Sequence, residues 1–91
     1  MITLDNSQKI GLNYKKAAGL INKIVSMRED KAYCIDIMQQ NMALIGLLKS
    51  AHQMLMADHL HSCFKNAMNS QNEARKQEMI EEILRVTSLN K

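Results

Sequence analysis

Residues 32–67, AYCIDIMQQNMALIGLLKSAHQMLMADHLHSCFKNA, decide the fold. The stretch holds no proline, and its one glycine, Gly46, lies inside an unbroken pattern. Met38, Met42, Ile45, Leu48 and Leu55 keep helical spacing, and Leu44, Leu47 and Ala51 broaden their stripe. The pattern predicts one long, widely apolar helix. A stripe of that width exceeds what one short partner helix can cover, so the helix is expected to pack on a copy of itself.

On its N-terminal side, Asp5, Asn6 or Ser7 can cap a first helix. Its apolar positions Ile10, Tyr14, Ala17, Ile21 and Ile24 alternate in steps of four and three, a heptad-like seam. Around Met27 the pattern gives way to Arg-Glu-Asp-Lys, a short turn, with Asp30 placed to cap the long helix. On the C-terminal side, Asn69-Ser70-Gln71-Asn72 breaks the pattern, and Ser70 with Glu73 forms a capping-box signature. The third helix carries Met79, Ile80, Ile83, Leu84 and Val86 and is expected to fray at Leu89-Asn90-Lys91.

Composition agrees with an all-α reading. The chain has 91 residues, only 3% aromatic, with no proline, no tryptophan and three glycines, which argues against a sandwich or barrel. Its length allows a single domain, 1–91, with a small core unless subunits share one. The longest apolar run, from Ala43 to Leu48 counting Gly46, falls far short of the ~20 residues that span a bilayer. With no basic-then-apolar signal at the N-terminus, the protein is expected to be cytoplasmic. There its two cysteines are expected to remain free thiols.

Cys34, His59 and Cys63 are the residues that carry candidate chemistry. His59 and Cys63 are four apart, which on a helix places both on one face within ~5 to 6 Å. Cys34 lies 25 residues before His59, roughly 38 Å along a continuous helix at ~1.5 Å per residue. One chain cannot gather all three. Two antiparallel copies of the long helix can, because the start of one then lies beside the end of the other, giving two equivalent sites per twofold dimer. Two thiolates and an imidazole make a soft, low-coordinate set that suits Cu(I), and Zn(II) only with a fourth ligand. His52 and His61 read as surface histidines, and the methionines as core filler. With no Gly-rich phosphate loop, no Cys-x-x-Cys and no acid/base pair beside either thiol, no enzyme is expected.

Tyr33-Cys34-Ile35-Asp36-Ile37, then Gln40, then Asp58-His59-Leu60 with Cys63 after it, resembles the CsoR/RcnR family of metal-sensing transcriptional repressors. The likeness extends from about Asn13 to the last helix, and the Cys, His, Cys spacing resembles that of the copper(I)-sensing branch. The resemblance implies a three-helix subunit, an antiparallel dimer that pairs again into a tetramer, and a Cu(I) site of Cys34 from one chain with His59 and Cys63 from the other. It also implies a second layer around the site, formed by Tyr33 and a glutamate of the third helix, which links metal binding to the DNA-binding state. Glu78 matches that glutamate, with Glu81 and Glu82 as alternatives. Its role would be to accept a hydrogen bond from the far nitrogen of His59. The nickel and cobalt branch needs a histidine near the N-terminus, and residues 1–51 contain none; the persulfide-sensing branch usually lacks the histidine present here as His59.

The chain departs from the family at positions that face DNA. Family members usually carry arginines at the positions of Asn13 and Ile45, and Glu-Gly-Gln where this chain has Ala18-Gly19-Leu20. Lys9, Lys15, Lys16, Lys23 and Lys49 remain to contact phosphates. With a net charge of +3 per chain, a tetramer would carry about +12, enough for salt-sensitive attraction to DNA. The expected function is that of a repressor whose apo tetramer occupies operator DNA and leaves it on binding Cu(I). The alternatives are a copper-buffering helical protein without operator recognition, and a thiol or persulfide redox sensor using Cys34 and Cys63.

Overall fold

A computed structural model describes residues 5–87 of the chain, and among them every regular element is helical. Helix α1 spans Asn6–Glu29 and α2 spans Cys34–His59. A π-helical turn, Leu60–Phe64, continues α2 directly into the short α3, Lys65–Met68. Helix α4 spans Glu73–Thr87. The expected all-α architecture with one long central helix is what is observed. The fraying expected at Leu89-Asn90-Lys91 lies outside the described residues.

The helix ends are set by local chemistry, and two differ from expectation. Asp5 caps α1 through a capping box, accepting from the Gln8 backbone N–H at 2.8 Å while the Gln8 side chain accepts from the Asp5 N–H at 3.0 Å. Asp30, expected to cap the long helix, instead closes α1. Beyond it Lys31 adopts φ 58°, the Ala32 N–H bonds to the Met27 carbonyl at 2.9 Å and the Lys31 N–H to the Arg28 carbonyl at 3.2 Å. That is a Schellman stop with a lysine where glycine is usual. The first bonds of α2 fall on the Tyr33 carbonyl, which accepts from Asp36 and Ile37. Likewise α4 is capped by Asn72, whose side-chain oxygen accepts from the Arg75 N–H at 3.1 Å. Ser70, the expected cap, stabilises the preceding turn instead, donating to the Ala67 carbonyl at 2.7 Å. Asparagine wins because it stands one residue before the first helical position, where a short acceptor meets the third N–H.

The left-handed Lys31 makes a direct prediction. Replacing it with glycine, which adopts that conformation without a Cβ clash, should stabilise the chain by about 0.5–1 kcal/mol, raising Tm by a few degrees. A lowered Tm would mean that the lysine side chain contributes more than its backbone costs.

By packing, the chain falls into two compact units, Met1–Met56 and Ala57–Lys91. In the first, α1 and α2 form an antiparallel hairpin across the short link 30–33. The Asn13 side chain reaches the Leu47 carbonyl, and those residues stand at similar distances from the link, as a hairpin requires. Ile10 and Ala17 on α1 and Ala51 on α2 are buried. Small residues at the seam let the two helices approach closely. In the second unit α3 packs against α4, and Ala67 and Met79 are buried. Met79 is the one methionine buried among the described residues; Met38 and Met42, read as core filler, are 57% and 67% exposed.

The seams also differ from the sequence reading. On α1 the covered or half-covered positions are Ile10, Asn13, Ala17, Leu20, Ile24 and Met27, whereas Tyr14 and Ile21 lie on an exposed edge with Val25. On α2 Ala51 is buried and Ile37, Gln40, Leu44, Leu47 and Met54 are half-covered, an alternation of three and four facing α1; residues 56–59 at the end of the helix are half-covered as well. Of the expected stripe, Met38, Met42 and Ile45 are exposed on the other side, and Leu48 and Leu55 are exposed along the border between the two. What reads as one broad apolar face is therefore two seams, an inner one used within the chain and an outer one left open.

Candidate functional site

Two of the expected ligands are the end residues of α2, and the third lies just beyond its last residue. Cys34 is its first residue and is exposed, and His59 is its last and half-buried. Cys63, also exposed, lies inside the π-helical turn that begins directly after His59. Both cysteines are free. Among the described residues no three His, Cys, Asp or Glu side chains of a single chain are grouped to hold a metal ion.

The π turn was not anticipated. Its slower winding means that His59 and Cys63 are not related by the regular α-helical step assumed from their spacing, although they still stand about one turn apart. The physical accompaniment is Ser62, whose hydroxyl donates back to the Asp58 carbonyl at 2.7 Å, a bond that competes with the backbone ladder and distorts a helix locally. The same Oγ lies 3.9 Å from the Cys63 sulfur. A serine in mid-helix directly before a candidate ligand was the available signal. Such turns recur at functional sites because they re-aim side chains without ending the helix.

Tyr33 directly precedes α2 and is 70% exposed. Glu78 is on α4, where its carboxylate accepts from Arg75 Nη1 at 2.9 Å. Glu81 accepts from Gln77 Nε2 at 3.4 Å, and Glu82 is half-buried. His52 and His61 are exposed, as expected of surface histidines.

The cationic residues divide into two groups. Lys9, Lys16 and Lys23 recur every seven residues on α1, all exposed, each directly before one of the seam residues Ile10, Ala17 and Ile24. They form a stripe along the border of the hairpin seam, with Lys15 beside it. Helix α1 carries five Lys or Arg and a single acid, Glu29, a net +4 on a chain whose total is +3. The positive charge is thus concentrated on one helix. Lys49 belongs elsewhere: it is in step with Met42, Ile45 and His52 on the outer side of α2, turned away from α1. Of the two positions noted above as departures from the family, Asn13 is turned into the hairpin and Ile45 lies on the outer apolar stripe.

Residues 6–88 match the family described as metal-sensitive transcriptional repressor. The chain is 35% identical over 66 residues to the copper-sensing transcriptional repressor CsoR of Mycobacterium ulcerans, covering 71% of this chain and 56% of that protein. It is 33% identical over 70 residues to the CsoR of Mycobacterium bovis, covering 76% and 59%, and 34% identical over 56 residues to that of Bacillus subtilis, covering 62% and 55%. The chain thus spans between a half and three fifths of the length of these relatives. No described helix is long and apolar enough to cross a membrane.

Proposed function

Because the chain belongs to the metal-sensitive transcriptional repressor family, we propose that it is a copper(I)-responsive repressor that holds operator DNA as an apo oligomer and releases it on binding Cu(I). The observation that carries this reading is the outer side of α2. His59 stands twenty-five positions after Cys34, close to seven whole turns of a regular α-helix, a spacing that repeats one side of such a helix. Met38, Ile45 and His52 lie along that side between them, and the apolar members are exposed. A contiguous exposed apolar face marks a surface that packs on something. A second copy, run antiparallel, would cover it and bring Cys34 of one chain to His59 and Cys63 of the other.

The donor set fits the metal. Two thiolates and one imidazole, with no carboxylate among them, are soft ligands that suit Cu(I). Bound there, the metal would supply a bond between two chains at each end of the helix pair. The chain's own residues would supply the rest. One ring nitrogen of His59 would face the metal, and the other would be left as a donor for which the Glu78 carboxylate is the candidate acceptor. Glu78 is held by Arg75, so engagement with His59 exchanges one partner for another. An exposed ion pair of this kind is worth little, which keeps the exchange easy.

The DNA-facing surface would be the cationic stripe of α1. Lys9, Lys15, Lys16 and Lys23 can each neutralise a phosphate, which gives affinity with a steep salt dependence rather than base readout. Lys49, on the side assigned to the partner chain, contributes charge nearby rather than a contact on that stripe. Linkage requires that if Cu(I) weakens DNA binding, DNA weakens Cu(I) binding by the same factor.

Binding of the reduced apo protein to DNA upstream of its own gene, read by anisotropy at stated salt, tests the proposal. One equivalent of Cu(I) per subunit should weaken specific binding by roughly 5- to 150-fold. Uptake of Cu(I) without specific DNA binding would replace the repressor with a copper buffer, the reading favoured by the inward Asn13 and the apolar Ile45.

A further inference from the structure

Asn13 interrupts the packed face of α1 between Ile10 and Ala17. Its Nδ2 donates to the Leu47 carbonyl of α2 at 3.3 Å in a part-buried position, joining residues 34 apart in sequence. That carbonyl already serves the α-helical ladder of α2, and its second lone pair takes the carboxamide. Ala17 and Ala51, 6% and 0% exposed, hold the helices close enough for so short a side chain to reach main chain. Apart from Gln40 of α2 the rest of the seam is apolar, and apolar contact is non-directional, so it tolerates small rotations of one helix on the other. A hydrogen bond to a fixed carbonyl does not.

The neighbours of Asn13 give that bond a consequence. Lys9 and Lys16 are four residues before it and three after, the positions that share its side of the helix. A rotation of α1 that breaks the bond to Leu47 therefore sweeps both lysines. We propose that Asn13 is a positioning residue: it pins α1 in one rotation on α2 and so ties the direction of Lys9 and Lys16 to the helix that bears Cys34 and His59. The inference rests on the repressor reading above. Asn13 is thus an internal clasp that aims the charges on either side of it.

The test compares wild type, Asn13→Ala and Asn13→Asp, the last keeping the shape but facing an acceptor with an acceptor. Three quantities are read: DNA affinity of the apo protein, its ratio with and without one equivalent of Cu(I), and Cu(I) affinity in the absence of DNA. Loss of one hydrogen bond should weaken apo DNA binding about two- to tenfold in both variants. The copper ratio should fall towards one, while Cu(I) affinity without DNA stays within about twofold of wild type. Asn13→Gln, which keeps the carboxamide, should restore part of the ratio. A copper ratio unchanged from wild type in both variants, whatever their Tm, would overturn the link and leave Asn13 a stabilising contact only. A wild-type ratio of one would instead fail the repressor reading itself.

Discussion

Cys34→Ala is expected to abolish tight Cu(I) binding while leaving the helical chain and the proposed oligomer intact. The thiol is exposed at the first position of α2 and contributes nothing to the buried residues of either unit, so its removal leaves no cavity. In the proposed site its loss would take away one of three soft donors and leave only His59 and Cys63. Removing an outer partner of a metal ligand costs about 10- to 100-fold in affinity, and removing the ligand itself should exceed that. Competition against a Cu(I) chelator of known affinity measures the change, with far-UV circular dichroism as the control for folding. Wild-type affinity in the variant would sink the shared site. A parallel loss of helicity would mean that the thiol holds the start of α2 rather than a metal.

Ile45→Glu is expected to dissociate the proposed oligomer into monomers, at concentrations where the wild type is expected to associate. Antiparallel pairing of Cys34 with His59 and Cys63 places the twofold axis opposite the stretch between residues 46 and 49 of α2. Ile45, 43% exposed, lies within one turn of that axis on the outer stripe, so in the proposed dimer it would approach its own copy. A carboxylate there would be desolvated beside another of like charge, a cost of several kcal/mol, hence on the order of 10²-fold or more in the dimer equilibrium. Sedimentation or light scattering reads the mass. Since each site would draw ligands from two chains, tight Cu(I) binding should fall together with association. An oligomer of unchanged mass would show that the stripe is covered by something other than a second copy.

These two substitutions also mark the limits of legibility. The all-helical fold was readable because Met, Leu, Ala, Lys, Gln and Glu dominate and proline is absent. The candidate ligands were readable because thiol and imidazole side chains are few, and their separation of 25 residues is a length that a helix converts into a distance. What failed was the assignment of faces and ends. The breadth of the α2 stripe conceals two seams, since residues one step apart in the heptad differ by about 100° and periodicity alone does not say which seam the neighbouring helix takes. Tyr14 and Ile21 were assigned to the α1 seam for the same reason, because an aromatic or aliphatic side chain looks more buried than the asparagine that actually occupies the contact.

By itself, then, the sequence determined that the chain is helical, that its central helix is long, and that Cys34 and His59 stand at its opposite ends, because intrinsic propensity and helical rise are local properties. Only the tertiary structure decided that Asn13 turns inward to Leu47, that Asn72 rather than Ser70 caps α4, and that a π turn opens between His59 and Cys63. Each of those depends on which of several hydrogen-bond partners a polar side chain reaches, and that competition is settled by distances between elements rather than by the order of residues along the chain.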